Sequence, residues 1–139
     1  MGKIISIVNQ KGGVGKTTTT VNLGAALATY DKKTLIVDFD QQANATLGLG
    51  INREDIFFDV VDFFTNIGLL RKAIIKTDVK NLDLIPSSIR LSEIEESLYQ
   101  LNDKEYLLSK KLNMIKDEYD YILIDCPPSL GLLVDNALY

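Results

Sequence analysis

Histidine is absent from this 139-residue chain and cysteine occurs once. A disulfide framework is thereby excluded, and the side chains that usually hold zinc are missing. Long apolar runs are missing too. Ile4-Ile5-Ser6-Ile7-Val8 is of strand length and far too short to cross a bilayer, and the N-terminus has no long apolar segment of the secretory kind. There is no repeat, low-complexity tract or Pro/Gly/Ser-rich linker, so residues 1–139 are expected to form a single domain. Nor is there an excess of positive charge: 15 Lys and Arg against 19 Asp and Glu give a net charge of −4, which does not favour a nucleic-acid partner. The main basic cluster, Lys104, Lys110, Lys111 and Lys116, is interleaved with Asp103, Glu105, Asp117 and Glu118 and reads as a solvated helix face. What these absences leave is a soluble globular chain suited to a reducing cytoplasm, with 46% hydrophobic and 24% charged residues.

Strand-like and helix-like stretches alternate along it. Lys3 to Asn9 is a β-branched run that ends in a glycine-rich loop. Residues 17 to about 30 have helical spacing, with Leu23, Leu27 and Tyr30 on one stripe and Gly24, Ala25 and Ala26 small enough for close packing on a sheet. Asp31 follows where a left-handed glycine would be commoner. Thr34–Asp38, Leu82–Ile85 and Tyr121–Asp125 read as further buried strands, and residues 59–76 as one or two short helices. Ser92 and Glu95 are spaced for a capping box, and Leu108, Leu112, Ile115 and Tyr119 form a later helical stripe. Near-continuously apolar strands alternating with helices predict an α/β fold, a mostly parallel sheet covered on both faces.

The stretch NQKGGVGKTTTTVN, residues 9–22, is where that pattern becomes chemistry. Gly12, Gly13 and Gly15 allow backbone N–H groups to turn toward a phosphate with no Cβ in the way. A helix starting near Lys16 adds its positive dipole end. Lys16 suits β- and γ-phosphate charge, the Thr17 hydroxyl suits Mg²⁺, and Thr18 can donate to the α-phosphate. The general pattern G-x-x-x-x-G-K-[ST] is not strictly met, since Gln10 stands at its first glycine; the sequence present is K-G-G-V-G-K-T. Further on, LIVDFDQQANAT places Asp38 and Asp40 just past an apolar strand, and YILIDCPPSLG does the same for Asp125. The carboxyl ends of parallel strands line the ligand crevice, so Asp38 and Asp40 can supply one group that orients water and one that binds Mg²⁺ through water. Cys126, beside Asp125, reads as inert packing.

K-G-G-V-G-K-T resembles the deviant Walker A loop of the ParA/MinD group of P-loop ATPases. D-x-D-x-Q-x-N-A-T and D-C-P-P-S-L-G resemble the ParA/Soj partition proteins within it, over residues 3 to about 138 with weak matching between 50 and 117. The resemblance implies a P-loop NTPase-type fold and an ATPase. Lys11, Gly12, Gly13, Val14, Gly15, Lys16, Thr17 and Thr18 would hold ATP. Lys11 would cross a nucleotide-sandwich homodimer to the partner's ATP, Asp40 would be the hydrolytic carboxylate with Asp38 in support, and Asp125 would hold the Mg²⁺ water shell with Thr17 and Asp40. Two departures change backbone freedom in the loop after Asp40: Gln41 replaces a proline and Ala43 a glycine.

By the same resemblance the function is a MgATP-dependent, slowly hydrolysing dimerisation switch in plasmid or chromosome segregation. A centromere-binding ParB-type protein would be its partner, with non-specific DNA for the full-length member. It would be cytoplasmic and nucleoid-associated, with no membrane partner. One cysteine is too few for the iron–sulfur cluster of the nitrogenase iron protein relatives, even shared between two subunits. Family members continue well past Tyr139, so the expectation is an N-terminal portion, truncated at the C-terminal side, with an exposed apolar patch or sheet edge. The alternative is a non-catalytic fragment that keeps the P-loop fold but has impaired nucleotide binding and hydrolysis. A small-molecule kinase or ligase is a third reading, for which no acceptor residue set is visible.

Overall fold

The computed structural model describes residues 2–7, 14–40, 42–91 and 110–125. Its sheet comprises β1 (Lys3–Ile7), β2 (Thr34–Asp38), β3 (Ile75–Lys76), β4 (Leu82–Ile85) and β5 (Tyr121–Asp125) in the order β1-β5-β2-β4-β3. β1, β5, β2 and β4 are parallel, and only the two-residue β3 runs antiparallel, against β4. Helices among the described residues include α1 (Val14–Thr29), α2 (Asn44–Gly48) and α3 (Val60–Thr65), with a further helical turn at residues 110–113. The mostly parallel α/β arrangement expected from the alternation is present.

Each central strand is apolar on both faces, and the period of two sends alternate residues into two separate cores. Leu35, Val37, Ile122 and Ile124 pack with Val60, Phe63, Phe64, Leu112 and Ile115 on one side. Ile36, Leu84 and Leu123 pack with Ala28 and Ala45 on the other, where Val21 and Leu27 of α1 lean against them. The sheet is therefore covered on both faces. Burying Phe39, Phe63 and Phe64 in one cluster adds ring contacts, with centroids 5.0 Å apart for Phe39–Phe64 and 4.8 Å for Phe63–Phe64.

Local sequence explains how the elements start and stop. Gly24 lets α1 approach β2, because a Cβ there would lie 2.8 Å from Ile36 Cδ1. α1 ends in a left-handed Asp31 at φ 61, with Asp31 N–H donating to Ala28 O at 3.1 Å and Lys32 N–H to Leu27 O at 3.0 Å. These are the two bonds of a Schellman closure, formed here without glycine. α3 starts with a reciprocal box: the Asp59 side chain accepts from Val61 and Asp62 N–H, and Asp62 accepts from Asp59 N–H at 3.0 Å.

Two expectations are corrected. Residues 59–76 hold α3 and a 3₁₀ turn at Ile67–Leu69, but they end in β3 instead of a helix. Lys111, taken as part of a solvated face, is buried. The proposed Ser92–Glu95 cap, Lys104, Leu108 and the segment after Asp125 lie outside the described residues.

Candidate functional site

Three strand ends lie side by side. Ile7 of β1 is in register with Asp125 of β5, and Asp125 with Asp38 of β2. β1 and β2 are both parallel to β5, so the helix joining β1 to β2 must run back along the sheet; the N-terminus of α1 accordingly sits at this carboxyl edge. α1 opens at Val14, which places Gly15, Lys16, Thr17 and Thr18 in its first turns. The helix begins three residues earlier than its apolar spacing indicates, because the glycine loop's last residues are already helical. Lys11, Gly12 and Gly13 lie outside the described residues.

The acidic groups converge as the strand pattern predicts. One ligand oxygen from each of Asp38, Asp40 and Asp125 lies within 4.8 Å of the others. Asp38 and Asp125 are buried and Asp40 is half-buried. Three hard oxygen donors at the helix N-terminus suit Mg²⁺, which prefers a few carboxylates and keeps much of its water shell. The residues present therefore fit the ion.

The carboxylates differ in what else they hold. Asp38 Oδ1 accepts from Asp40 N–H at 2.9 Å; its Oδ2 accepts from Thr46 N–H at 2.9 Å and from the Thr46 hydroxyl at 2.6 Å. It thus ties the end of β2 to α2 across the intervening loop. Asp40 accepts from Gln42 N–H at 3.1 Å and from Asn44 Nδ2 at 2.8 Å, at the entrance to α2. Ala43 takes the left-handed conformation at φ 58 without being a glycine. Its N–H donates to Asp40 O at 2.9 Å and its carbonyl accepts from Leu47 N–H at 2.9 Å, so hydrogen bonds on both sides hold the strained residue.

Burial pushes the Asp38 carboxyl up to about 7; the three donors pull it down and the Asp125 charge adds to the rise. A folded-state value above the ordinary 3.8 means that the native chain holds this proton more tightly than the unfolded chain does. The corresponding stabilisation is complete below about pH 4 and is lost as the pH rises toward about 7. Without metal or nucleotide, the urea midpoint is expected to fall between about pH 5 and about pH 8, and the Asp38→Asn chain to show a smaller fall. Equal slopes in the two chains would remove Asp38 as the source.

Sequence reasoning missed three polar groups here: Asn44, Thr46 and Ser87. The first two sit inside the quoted DQQANAT stretch, yet nothing in their spacing shows that one holds Asp40 and the other Asp38. Ser87 follows β4, forty-one residues after the Thr46 hydroxyl to which its N–H donates at 3.0 Å, a pairing visible only once the sheet is assembled.

Parallel strands whose carboxyl ends present three carboxylates beside a glycine-loop helix define a P-loop-type nucleotide fold. The chain belongs to the AAA_31 family of AAA domains, which matches residues 2–139. It is 53% identical over 138 residues to the sporulation initiation inhibitor protein Soj of Bacillus subtilis, covering 99% of this chain and 54% of that one. It is 50% identical over 138 residues to the chromosome-partitioning ATPase Soj of Treponema pallidum, covering 99% of this chain and 53% of that protein. Among solved structures, cobyrinic acid a,c-diamide synthase of Mycobacterium smegmatis, with ADP and magnesium bound, superposes with a TM-score of 0.87 at 36% identity, covering 99% of this chain and 56% of that one. The chain spans about half the length of the relatives it matches. Among the described residues no helix is long and apolar enough to cross a membrane.

Proposed function

We propose that the chain is the nucleotide-binding part of a MgATP-dependent, slowly hydrolysing dimerisation switch that acts in plasmid or chromosome segregation. The observation that carries this reading is the convergence of Asp38, Asp40 and Asp125 at the strand ends beside the N-terminus of α1. Backbone N–H groups of residues 12–16, with Lys16, hold the phosphates; Thr17 and Thr18 complete the cradle. Thr17, Asp40 and Asp125 would hold Mg²⁺, which would supply charge neutralisation at the phosphates, and Asp38 arranges the loop that carries Asp40. Asp40 accepts a hydrogen bond from the attacking water and orients it toward the γ-phosphate. Lys11 of each subunit reaches the partner's ATP, a positive charge supplied in trans where the transition state gathers negative charge. Resetting of the ATP-bound homodimer would then follow hydrolysis, with a centromere-binding ParB-type protein and non-specific DNA as partners of the longer protein and a cytoplasmic, nucleoid-associated location.

Calorimetric titration of the purified 139-residue chain with MgATP, and with MgGTP as control, tests the site. Micromolar binding that prefers ATP is the expected result. No binding by a chain that circular dichroism shows to be folded would favour the alternative, a scaffold that keeps the P-loop fold without nucleotide chemistry. The likeness to the M. smegmatis synthase favours a second reading, ATP-dependent modification of a small acceptor. ADP release in the absence of any acceptor argues against it.

A further inference from the structure

Ser87 is not in the phosphate loop or the acidic cluster, yet both of its polar groups reach the segment that carries Asp40. Its hydroxyl donates to the main-chain carbonyl of Asp40, and its N–H donates to the Thr46 hydroxyl, which in turn donates to Asp38. The Asp40 carbonyl also accepts from Ala43 N–H, the bond that closes the turn into α2. Ser87 is buried, and it follows Pro86, whose carbonyl accepts from Val60 N–H at 2.9 Å. It is thus anchored to the sheet and to α3, on elements that the loop itself does not include.

We propose that Ser87 is a positioning residue for Asp40: it clamps the Asp40 main chain so that the carboxylate stays aimed at the phosphate side of the sheet. The proposal rests on the hydrolytic reading of Asp40 given above. Asp40's own side chain is occupied locally, by Gln42 N–H and Asn44, and those partners move with the loop. Thr46 moves with α2. Among the described residues Ser87 joins the Asp40 main chain to the end of β4, so losing its hydroxyl loosens the turn at Asp40. The Ser87 N–H bond to Thr46 survives truncation of the side chain, so Ser87→Ala removes the clamp and spares the link to Asp38.

The test is steady-state ATP hydrolysis by the full-length protein carrying Ser87→Ala or Ser87→Thr, with hydrogen exchange followed over residues 39–48 of the nucleotide-free protein. Ser87 lines a cavity of about 280 Å³ together with Ser88, Arg53 and Arg90. Loss of one buried hydrogen bond to a loop carbonyl should lower kcat about three- to tenfold in Ser87→Ala, with KM for MgATP unchanged. Ser87→Thr should restore kcat, and exchange over the segment should quicken only in the alanine variant. A purely structural role would lower the melting temperature and active fraction without this restored, kcat-only pattern. Unchanged kcat and exchange in Ser87→Ala, beside an active wild type, overturn the clamp alone. A wild-type protein that binds MgATP but never turns it over overturns the hydrolytic reading of Asp40 and the clamp with it.

Discussion

A Lys16→Ala chain is expected to lose measurable MgATP binding, with the dissociation constant rising about a hundredfold or more. Lys16 lies in the first turn of α1, at the carboxyl edge where the three strand ends meet. No acidic residue shares that turn to compete for its charge. Bonds from a charged donor to phosphate contribute about 1.5–3 kcal/mol each, and an ammonium that spans two phosphates makes more than one. The helix N-terminus and the glycine-loop N–H groups survive the substitution, so residual binding of inorganic phosphate or pyrophosphate at millimolar concentration is compatible with it. Titration calorimetry on wild type and variant, matched for fold by circular dichroism, measures the difference. Tight MgATP binding retained by Lys16→Ala would remove the phosphate-loop reading itself, since no other lysine lies in that first turn.

Much of this architecture could be read from the chain because its strands are unambiguous. Thr34–Asp38 and Tyr121–Asp125 are short, β-branched and apolar on both faces, and such a pattern has few homes outside a covered parallel sheet. The left-handed Asp31 was foreseeable for a local reason, a polar residue closing a helix where the chain must reverse. Other elements depended on partners distant in sequence. β3 is two residues long and exists because Ile75 and Lys76 lie against Leu84 and Asp83; its local sequence fits a helix end as well. The α3 box uses Asp59 and Asp62, so a search for Ser or Thr followed by Glu passes over it. α2 is hidden for a different reason. Its entry needs a left-handed Ala43, which propensity alone would disfavour, and the bonds of Ala43 to Asp40 and Leu47 accompany that conformation. The acidic trio was legible as three residues at strand ends, but the division of labour was not. That Asp38 is spent on three donors from its own loop, while Asp40 sits half-buried at the helix entrance, is set by tertiary distances that no spacing encodes.

That division makes Asp40→Ala the sharper test of mechanism. The variant is expected to keep MgATP affinity within about threefold of wild type while ATP turnover by the full-length protein falls about a hundred- to a thousandfold, the range typical of a lost proton-accepting or water-orienting group. Affinity should survive because the proposed phosphate cradle, residues 12–18, does not include Asp40. Part of any loss has a second origin, since Asp40 also accepts from Gln42 N–H and Asn44 Nδ2 and helps to hold the entrance to α2. Asp40→Asn narrows the choice: its one amide oxygen can still accept from Gln42 N–H or from Asn44 Nδ2, though not from both, and it is a far weaker acceptor for a water proton. Equal, deep loss of turnover in both variants assigns the effect to the carboxylate's charge and basicity. Loss in Asp40→Ala with recovery in Asp40→Asn would make Asp40 a loop anchor and return the water-orienting role to Asp38 or Asp125. Of those two, Asp38 is the poorer candidate, because freeing either of its oxygens would break a bond to Thr46 or to the Asp40 N–H that holds the loop in place.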